Sequence, residues 1–247
     1  MTGNDVTSAD VRLGSLRVHV ARTSQDSRGG VLLYPTIRGL DHTMRAQARE
    51  FASAGLTALV WDPYNGEDAT GDVFQMLDRS KECEDRSMVR DLKSVVDFMQ
   101  DELGLASIAG TGSCFGGRVA LVHGGSDDRI CAVSAYNPTI FLDTPIDFAG
   151  HSLSRADFPG ETLDVFELAA SINGPVQICR PERDFTLPAA YEQLLDALRT
   201  RPEPTFYEFY PGADHGFAYA PGEANEKAQR FAWASTLSLF SQRFQDA

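Results

Sequence analysis

Short apolar runs alternate along most of this chain with segments of helical periodicity. The runs have the length of buried strands, and they lie at residues 31–34, 57–61, 107–110, 130–135, 175–179 and 205–210. Strands separated by helices imply right-handed βαβ crossovers. The pattern therefore predicts one α/β domain, with a mostly parallel sheet flanked by helices on both faces.

Amphipathic helices are predicted between these strands. The clearest lies between Glu84 and Leu103, where apolar residues recur at intervals of three and four. Further helices are predicted at residues 43–54, 118–123, 187–198 and about 223–244. Gly55 follows the first of them as a C-terminal stop.

The segment from about residue 140 to residue 173 interrupts this alternation. It contains Pro145, Pro159 and Gly160, and only a short helical stretch near residues 163–170. Long irregular stretches inside compact domains are usually functional or mobile. We interpret the segment as an insertion or partial lid within a single domain spanning residues 1–247, with surface decoration as the alternative.

The charge of the chain limits its partners. The formal net charge is −13 and the isoelectric point is near 4.7, while the hydrophobic content of 43% is ordinary for a globular protein. An acidic surface argues against nucleic acid or an anionic membrane as a partner. We therefore expect a small-molecule substrate and an acidic monomer, with an oligomer left open.

The four cysteines, Cys83, Cys114, Cys131 and Cys179, form no CxxC pair, so neither a zinc site nor a disulfide framework is indicated. The first ten residues lack the basic flank and apolar run of a signal peptide, and no window holds 18 apolar residues. We expect reduced thiols in a cytoplasmic protein that needs no metal or other cofactor.

A glycine-flanked cysteine stands between the predicted strand at 107–110 and the predicted helix at 118–123. Gly112-Ser-Cys-Phe-Gly116 has the form G-x-C-x-G, and in a strand-to-helix context this is typical of a nucleophile elbow. The glycines leave room for the sharp turn. The turn would expose the Cys114 sulfur and place the Phe115 amide at a helix N-terminus, which lowers thiol pKa values and stabilises oxyanions.

Two other interpretations of this segment remain open. Cys114 could be an inert buried residue, the commonest fate of a free cysteine. The spacing Gly110-x-Gly112-x-x-x-Gly116 is also close to that of a dinucleotide-binding turn. Such turns usually follow the first strand of a domain, whereas several strand-like runs precede this one.

A cysteine nucleophile needs a base, and the base needs an orienting group. With a nucleophile elbow, the chain order is nucleophile, acid and histidine, each after a strand. Asp184 follows the strand at 175–179 and His215 follows the strand at 205–210. Four other histidines do not follow late strands: His19, His42, His123 and His151.

Two other carboxylates were weighed against Asp184. Asp214 adjoins His215, and adjacent side chains usually point apart. Glu182 is the alternative acid if Asp184 does not reach the histidine.

With these residues assembled, the sequence resembles the dienelactone hydrolase (carboxymethylenebutenolidase) family of the α/β-hydrolase superfamily. The likeness covers nearly the whole chain. It rests on the strand and loop at 31–39, Trp61-Asp-Pro-Tyr64, Gly112–Gly117, Asp184 and His215-Gly-Phe217. Cysteine in place of serine at the elbow is its most specific part.

The resemblance implies an α/β-hydrolase fold and a role for each matched residue. Cys114 would attack the acyl carbon, His215 would carry the proton and Asp184 would hold the histidine. The backbone amides of Ile37 and Phe115 would form the oxyanion hole.

Departures from the family's pattern concern substrate binding. The family has a carboxylate where this chain has Thr36, and an arginine after the catalytic histidine where this chain has Tyr219. Arginines that could bind a substrate carboxylate instead are Arg38, beside the oxyanion loop, and Arg86 or Arg79, near the helix at 84–103.

These observations predict a cysteine-dependent hydrolase of an ester or enol-lactone of a small carboxylic acid, acting through a thioacyl-enzyme. The alternative is a non-catalytic homologue that binds a small ligand in the same pocket. The alternative stays open because Thr36 stands where the family has a carboxylate.

Overall fold

The computed structural model describes residues 5–23, 27, 29–66 and 71–245. Eight strands form one sheet in the order β1-β2-β4-β3-β5-β6-β9-β10. They are β1 (Val6–Leu13), β2 (Leu16–Thr23), β3 (Gly30–Tyr34), β4 (Thr57–Trp61), β5 (Ile108–Ser113), β6 (Ile130–Tyr136), β9 (Val176–Arg183) and β10 (Thr205–Asp214). The strands from β4 to β10 in this order are mutually parallel, and β1 and β2 form an antiparallel hairpin at one edge.

Seven helices are found within the described residues: α1 (His42–Ser53), α2 (Val73–Lys81), α3 (Asp85–Asp101), α4 (Phe115–Ser126), α5 (Val165–Ala170), α6 (Pro188–Leu198) and α7 (Glu223–Gln245). None of these helices combines the length and the apolar content that a membrane crossing requires.

The helices cover both faces of the sheet. Because successive strand side chains point to opposite faces, Val31 and Leu33 pack with α1 and α7, whereas Leu32 and Tyr34 pack with α3, α4 and α6. The predicted fold class, a mostly parallel sheet between two layers of helices, is confirmed.

The hairpin β1–β2 and the helix α2 were not predicted from the sequence. β1 lies at the edge of the sheet and is mostly exposed, so it carries no continuous apolar run. β2 alternates buried Leu16, Val18 and Val20 with arginine and histidine, the period of a strand whose two faces differ. Neither strand therefore carries the continuous apolar run by which strands were sought.

The segment at 140–173 contains a two-stranded ribbon of β7 (Ile146–Phe148) and β8 (His151–Leu153), one turn of 3-10 helix, and α5. It is tied to the start of α3. The Asp85 amide donates to the Gly160 carbonyl at 2.9 Å, and the Leu163 amide donates to Asp85 Oδ2 at 2.9 Å. A Cβ on Gly160 would lie 2.2 Å from the Cys83 carbonyl oxygen, so the close approach requires glycine.

Candidate active site

A cavity of about 490 Å³ opens at the carboxyl ends of the parallel strands. Its position follows from the strand order. β3 and β5 are neighbours, and the chain proceeds from β3 to β4 on one side and from β5 to β6 on the other. Ligands of open α/β sheets bind at such a switch point. The loops after β3, β5 and β10 all contribute residues to the lining.

Cys114 occupies a strained turn between β5 and α4. Its backbone has φ 59° and ψ −123°, a combination that L-residues rarely adopt. The flanking glycines are required sterically. A Cβ on Gly112 would lie 2.4 Å from the Gly116 carbonyl oxygen, and a Cβ on Gly116 would lie 2.0 Å from the Tyr34 carbonyl oxygen. The sulfur therefore stands at the cavity, at the N-terminus of α4.

Asp184 and His215 meet beside this cysteine. Asp184 follows β9, His215 follows β10, and His215 Nδ1 lies 2.7 Å from Asp184 Oδ1. The carboxylate is buried, and it also accepts hydrogen bonds from the Tyr191 hydroxyl at 2.6 Å and the Thr186 amide at 2.9 Å. These contacts fix the carboxylate, which in turn fixes the tautomer and orientation of the imidazole.

The other two carboxylates near His215 have different partners. Asp214 pairs with Arg183 at 2.6 Å and accepts a hydrogen bond from the Asn225 amide at 2.9 Å. Glu182 is exposed and accepts a hydrogen bond from the Gly212 amide. The structure therefore brings Asp184 to the histidine and leaves both alternatives on the surface.

The thiol and the imidazole change each other's pKa values. Burial disfavours the thiolate. The charge of His215, together with hydrogen bonds from His215, Thr139 and the Phe115 amide, nevertheless lowers the pKa of Cys114 below its ordinary value. Burial likewise favours neutral imidazole, but the Cys114 thiolate and Asp184 outweigh it and raise the pKa of His215 to about 9. The geometry thus favours a thiolate–imidazolium pair, the reactive form of a cysteine.

Two residues after β6 contact this pair and were not singled out from the sequence. The Thr139 hydroxyl donates to Cys114 Sγ at 3.3 Å, and Asn137 Nδ2 lies 3.2 Å from His215 Nε2. Nε2 of an imidazolium carries a proton and needs an acceptor. The Asn137 side-chain amide can accept this hydrogen bond when its oxygen, rather than its nitrogen, faces Nε2. Ser113 Oγ, 3.1 Å from the amide, can then accept from the amide nitrogen.

Asn137 is fully buried and has a positive φ of 35°. The sequence did hold one signal for it: Asn137-Pro138-Thr139 follows a predicted strand, where polar residues can reach the site. The order of nucleophile, acid and histidine assigns no residue to the end of that strand.

The predicted oxyanion loop also lies at the cavity. Both Ile37 and Phe115 line it, and the Phe115 amide contributes to the lowered pKa of Cys114. The Tyr64 hydroxyl donates to the Ile37 carbonyl at 2.9 Å. Gly39, with φ 67°, turns the loop against the Tyr64 ring, where a Cβ would lie 2.6 Å from the nearest ring carbon. Tyr64 thus holds the backbone from which the Ile37 amide projects.

The family model of the dienelactone hydrolase family matches residues 16–244. The chain belongs to the dienelactone hydrolase family. It is accordingly a hydrolase of ester bonds, and the resemblance found in the sequence is confirmed. A search of curated proteins found no match.

Solved structures share the fold at low sequence identity. A candidate dienelactone hydrolase from Klebsiella pneumoniae has a TM-score of 0.81 and 21% identity, covering 97% of this chain and 100% of its own. The dienelactone hydrolase-like promiscuous phosphotriesterase P91, from metagenomic libraries, has a TM-score of 0.77 and 17% identity, with coverages of 96% and 98%. Est1E from Butyrivibrio proteoclasticus, with bound ferulic acid, has a TM-score of 0.64 and 14% identity, with coverages of 92% and 99%.

The residues at which this member departs from the dienelactone hydrolase pattern lie at different depths. Thr36 lines the cavity, and its hydroxyl oxygen accepts from the Arg38 amide at 3.3 Å. Arg38 also borders the cavity but has an exposed side chain. Tyr219 lines the cavity, and its hydroxyl donates to Gln47 Oε1 at 3.2 Å.

The structure places Arg86, a predicted substrate contact, away from the cavity. Arg86 is exposed at the start of α3 and does not line the cavity. The adjacent Asp85 faces inward to Arg118, so the next side chain along the helix is turned to solvent. Arg79, the other arginine considered there, lies over the Tyr64 ring at 4.4 Å and is also absent from the lining.

The segment at 140–173 supplies much of the cavity's inner surface. Its lining residues are Phe141, Phe148, Leu153, Phe158 and Glu161. No group of three or more His, Cys, Asp or Glu side chains within the described residues is arranged to hold a metal ion.

Proposed function

We propose that this member of the dienelactone hydrolase family hydrolyses an ester or enol-lactone of a small carboxylic acid through a thioacyl-enzyme on Cys114. One observation carries the proposal. Cys114 stands on a strained elbow at the cavity, with its thiol pKa lowered by His215, and His215 is held by Asp184 at 2.7 Å. Nucleophile, base and orienting group thus lie together at the cavity, as nucleophilic catalysis requires.

In the first half-reaction the Cys114 thiolate attacks the carbonyl carbon of the bound substrate. The carbonyl oxygen becomes an oxyanion, which the backbone amides of Ile37 and Phe115 stabilise by hydrogen bonds. When the tetrahedral intermediate collapses, the bond from carbon to the leaving oxygen breaks. His215 Nε2 gives its proton to that oxygen, and a thioester on Cys114 remains.

In the second half-reaction a water molecule gives a proton to the now neutral His215 and attacks the thioester carbon. The carbon–sulfur bond breaks, the carboxylic acid product leaves, and Cys114 returns as thiolate beside protonated His215. Asp184 stabilises each imidazolium that forms.

The thiol restricts which leaving groups the enzyme can use. A tetrahedral intermediate expels thiolate more easily than a simple alkoxide, so attack on an alkyl ester mostly reverses. An enolate or phenolate leaves more easily because it is a weaker base. Enol-lactones and enol or aryl esters are therefore the substrates that suit Cys114 best.

The first experiment compares p-nitrophenyl acetate and cis- and trans-dienelactone as substrates of the wild type and of Cys114→Ala. We expect turnover of p-nitrophenyl acetate by the wild type that falls about 10³-fold or more in the variant, because the nucleophile is removed while the binding site remains. The two dienelactones test whether a substrate that carries a carboxylate is accepted. A burst of p-nitrophenolate equal to the enzyme concentration would mark the thioacyl-enzyme. Equal turnover by both proteins would overturn the proposal. Thermal unfolding of both proteins provides the control for folding.

A further inference from the structure

Aromatic rings form a continuous surface from the segment at 140–173 to the histidine. The Phe141 and Phe158 rings are stacked with their centroids 4.1 Å apart, and Phe148 meets Phe185 edge to face at 5.1 Å. Phe185 in turn lies against the His215 ring at 3.9 Å. These phenylalanines all line the cavity. A flat apolar group attached to the reacting carbonyl would bury its surface against them.

One carboxylate interrupts this apolar wall. Glu161 lines the cavity, and its side chain keeps 13% of its exposure. Glu161 Oε2 lies 3.1 Å from Arg118 Nε. The Arg118 guanidinium is already engaged by both oxygens of Asp85, at 2.8 and 2.9 Å. Arg118 is therefore shared by two carboxylates, and Arg155 acts on Glu161 from beyond hydrogen-bonding distance. With Asp164, which also acts on Arg118, the formal charges of these five groups sum to minus one beside the cavity. Burial raises the pKa of Glu161.

The cavity lining itself supplies little positive charge. Arg38 is the only lysine or arginine among the cavity-lining residues of the described chain, and its side chain is exposed at the rim. Asp41 and His42 lie near it in the same part of the lining. A carboxylate on the far end of a substrate would lose its hydrating water on entering the cavity. It would then face Glu161 across an apolar surface, where the lining offers no cation to pair with it.

We propose that this cavity selects neutral or cationic aromatic acyl groups and rejects acyl groups that carry a second carboxylate, with Glu161 as the residue that sets the preference. Rejection comes from like-charge repulsion together with the cost of removing water from the substrate's carboxylate. The assignment of this wall to the acyl group rests on the proposed function. The charge preference of the wall does not.

The position of Glu161 depends on the scaffold around it. Gly160 is fixed against Cys83, and Asp85 binds the backbone on both sides of Glu161 through Gly160 and Leu163. The carboxylate is thus held at the wall by contacts that do not involve the substrate. A substitution that keeps the size of this side chain can therefore remove its charge while the wall stays in place.

Three p-nitrophenyl esters test the proposal. All are esters of phenylacetic acid, with hydrogen, carboxylate or aminomethyl at the para position of the ring. We expect the wild type to turn over the hydrogen and aminomethyl esters with a kcat/KM about tenfold or more above that of the carboxylate ester. In Glu161→Gln, we expect the kcat/KM values of the hydrogen and aminomethyl esters to exceed that of the carboxylate ester by only about threefold or less.

Glu167→Gln is the matched control. It makes the same chemical change on α5 of the same segment, at an exposed residue outside the cavity lining. We expect its order of preference to equal that of the wild type. Equal kcat/KM values of the wild type for the carboxylate and hydrogen esters would overturn the proposal, as would an identical preference in Glu161→Gln.

Binding to Cys114→Ala separates this proposal from the proposed function. The probes are the three matching phenylacetamides, measured by calorimetry, and no turnover is needed. Weaker binding of the para-carboxylate amide, by about tenfold, supports the charge preference even if no ester is hydrolysed. Equal binding of the three amides overturns it even if Cys114-dependent hydrolysis is found. The same measurement on Cys114→Ala carrying Glu161→Gln shows whether that carboxylate sets the difference.

Discussion

Two buried charge clusters lie at the first turn of α4 and differ in how their charges are satisfied. Cys114, at the N-cap of the helix, contacts His215 and through it Asp184. Arg118, one turn later, contacts Asp85 and Glu161. The sulfur faces the cavity, and its charge state depends on the proton of a neighbour. The guanidinium is only 3% exposed and carries a permanent charge between two carboxylates.

This difference explains how one short helix supports both reactivity and rigidity. Protonation of a cysteine–histidine pair can change during a reaction because the pKa values of both groups lie within a few units of neutrality. An arginine cannot release its proton, so a buried arginine must be matched by acceptors in the structure itself. The reactive cluster is therefore expected to respond to substitution mainly in rate, and the Arg118 cluster mainly in stability.

The largest effect is expected from removing the carboxylate of the reactive cluster. Asp184→Asn should lower kcat/KM for p-nitrophenyl acetate by about 10²- to 10⁴-fold, because the amide no longer holds the imidazole tautomer or stabilises imidazolium. Glu182→Gln is the matched control at the exposed alternative acid, with an expected change below about twofold. Equal losses in both variants would show that the contact at 2.7 Å does not orient the base.

The Arg118 cluster should respond in stability. Arg118→Met leaves two buried carboxylates without their cation, and the free energy of unfolding should fall by about 3–5 kcal/mol. Arg129→Met is the comparison, because Arg129 also pairs with two carboxylates, Asp97 and Asp127, but keeps 22% of its exposure. Its expected cost is about 1 kcal/mol. Urea unfolding measures both, and similar losses would contradict the assignment of the difference to burial.

The pH dependence of Cys114 alkylation sharpens the comparison from the reactive side. The pKa of the thiol is lowered, so its thiolate persists as the pH falls below 9 and is lost only when the pH falls through the lowered pKa. His215→Gln removes the cation while burial remains. The alkylation midpoint should therefore move to higher pH, and the rate at pH 7 should fall about tenfold.

Iodoacetamide consumption by the wild type, His215→Gln and Cys114→Ala gives the profiles and their background. Burial raises the pKa values of the other three cysteines, Cys83, Cys131 and Cys179, so the background should be low. An unchanged midpoint in His215→Gln would refute the thiolate–imidazolium pair.

The smallest effect concerns the hydroxyl that supports Asp184. Tyr191→Phe removes the hydrogen bond to Asp184 Oδ2, and kcat/KM should fall by about tenfold or less, with a loss of about 1–2 kcal/mol in unfolding free energy. Tyr207→Phe, in which the hydroxyl lost is on an exposed side chain, should change neither quantity measurably. Steady-state kinetics and urea unfolding measure the two variants, and equal changes in both would contradict the role given to Tyr191.

The sequence by itself determined the fold class and the order of the candidate chemical residues. Strands buried on both faces produce continuous apolar runs, so five of the six parallel strands could be located from hydropathy alone. The sixth, β10, lies at the sheet edge and is half exposed, and its aromatic residues located it. The elbow could be found because its turn excludes any side chain at Gly112 and Gly116. Asp184 and His215 could be placed because residues after parallel strands meet at one edge of the sheet.

Only the tertiary structure decided which side chains share the cavity. The structure brings Asn137 to His215, Thr139 to Cys114 and Glu161 to Arg118, and each pair joins separate parts of the chain. Arg86 points to solvent because its neighbour Asp85 is drawn to Arg118. Such contacts depend on how helices and loops pack against the sheet, and no local pattern records them. Local periodicity reports burial along one element, whereas specificity and pKa values depend on groups that several elements bring together.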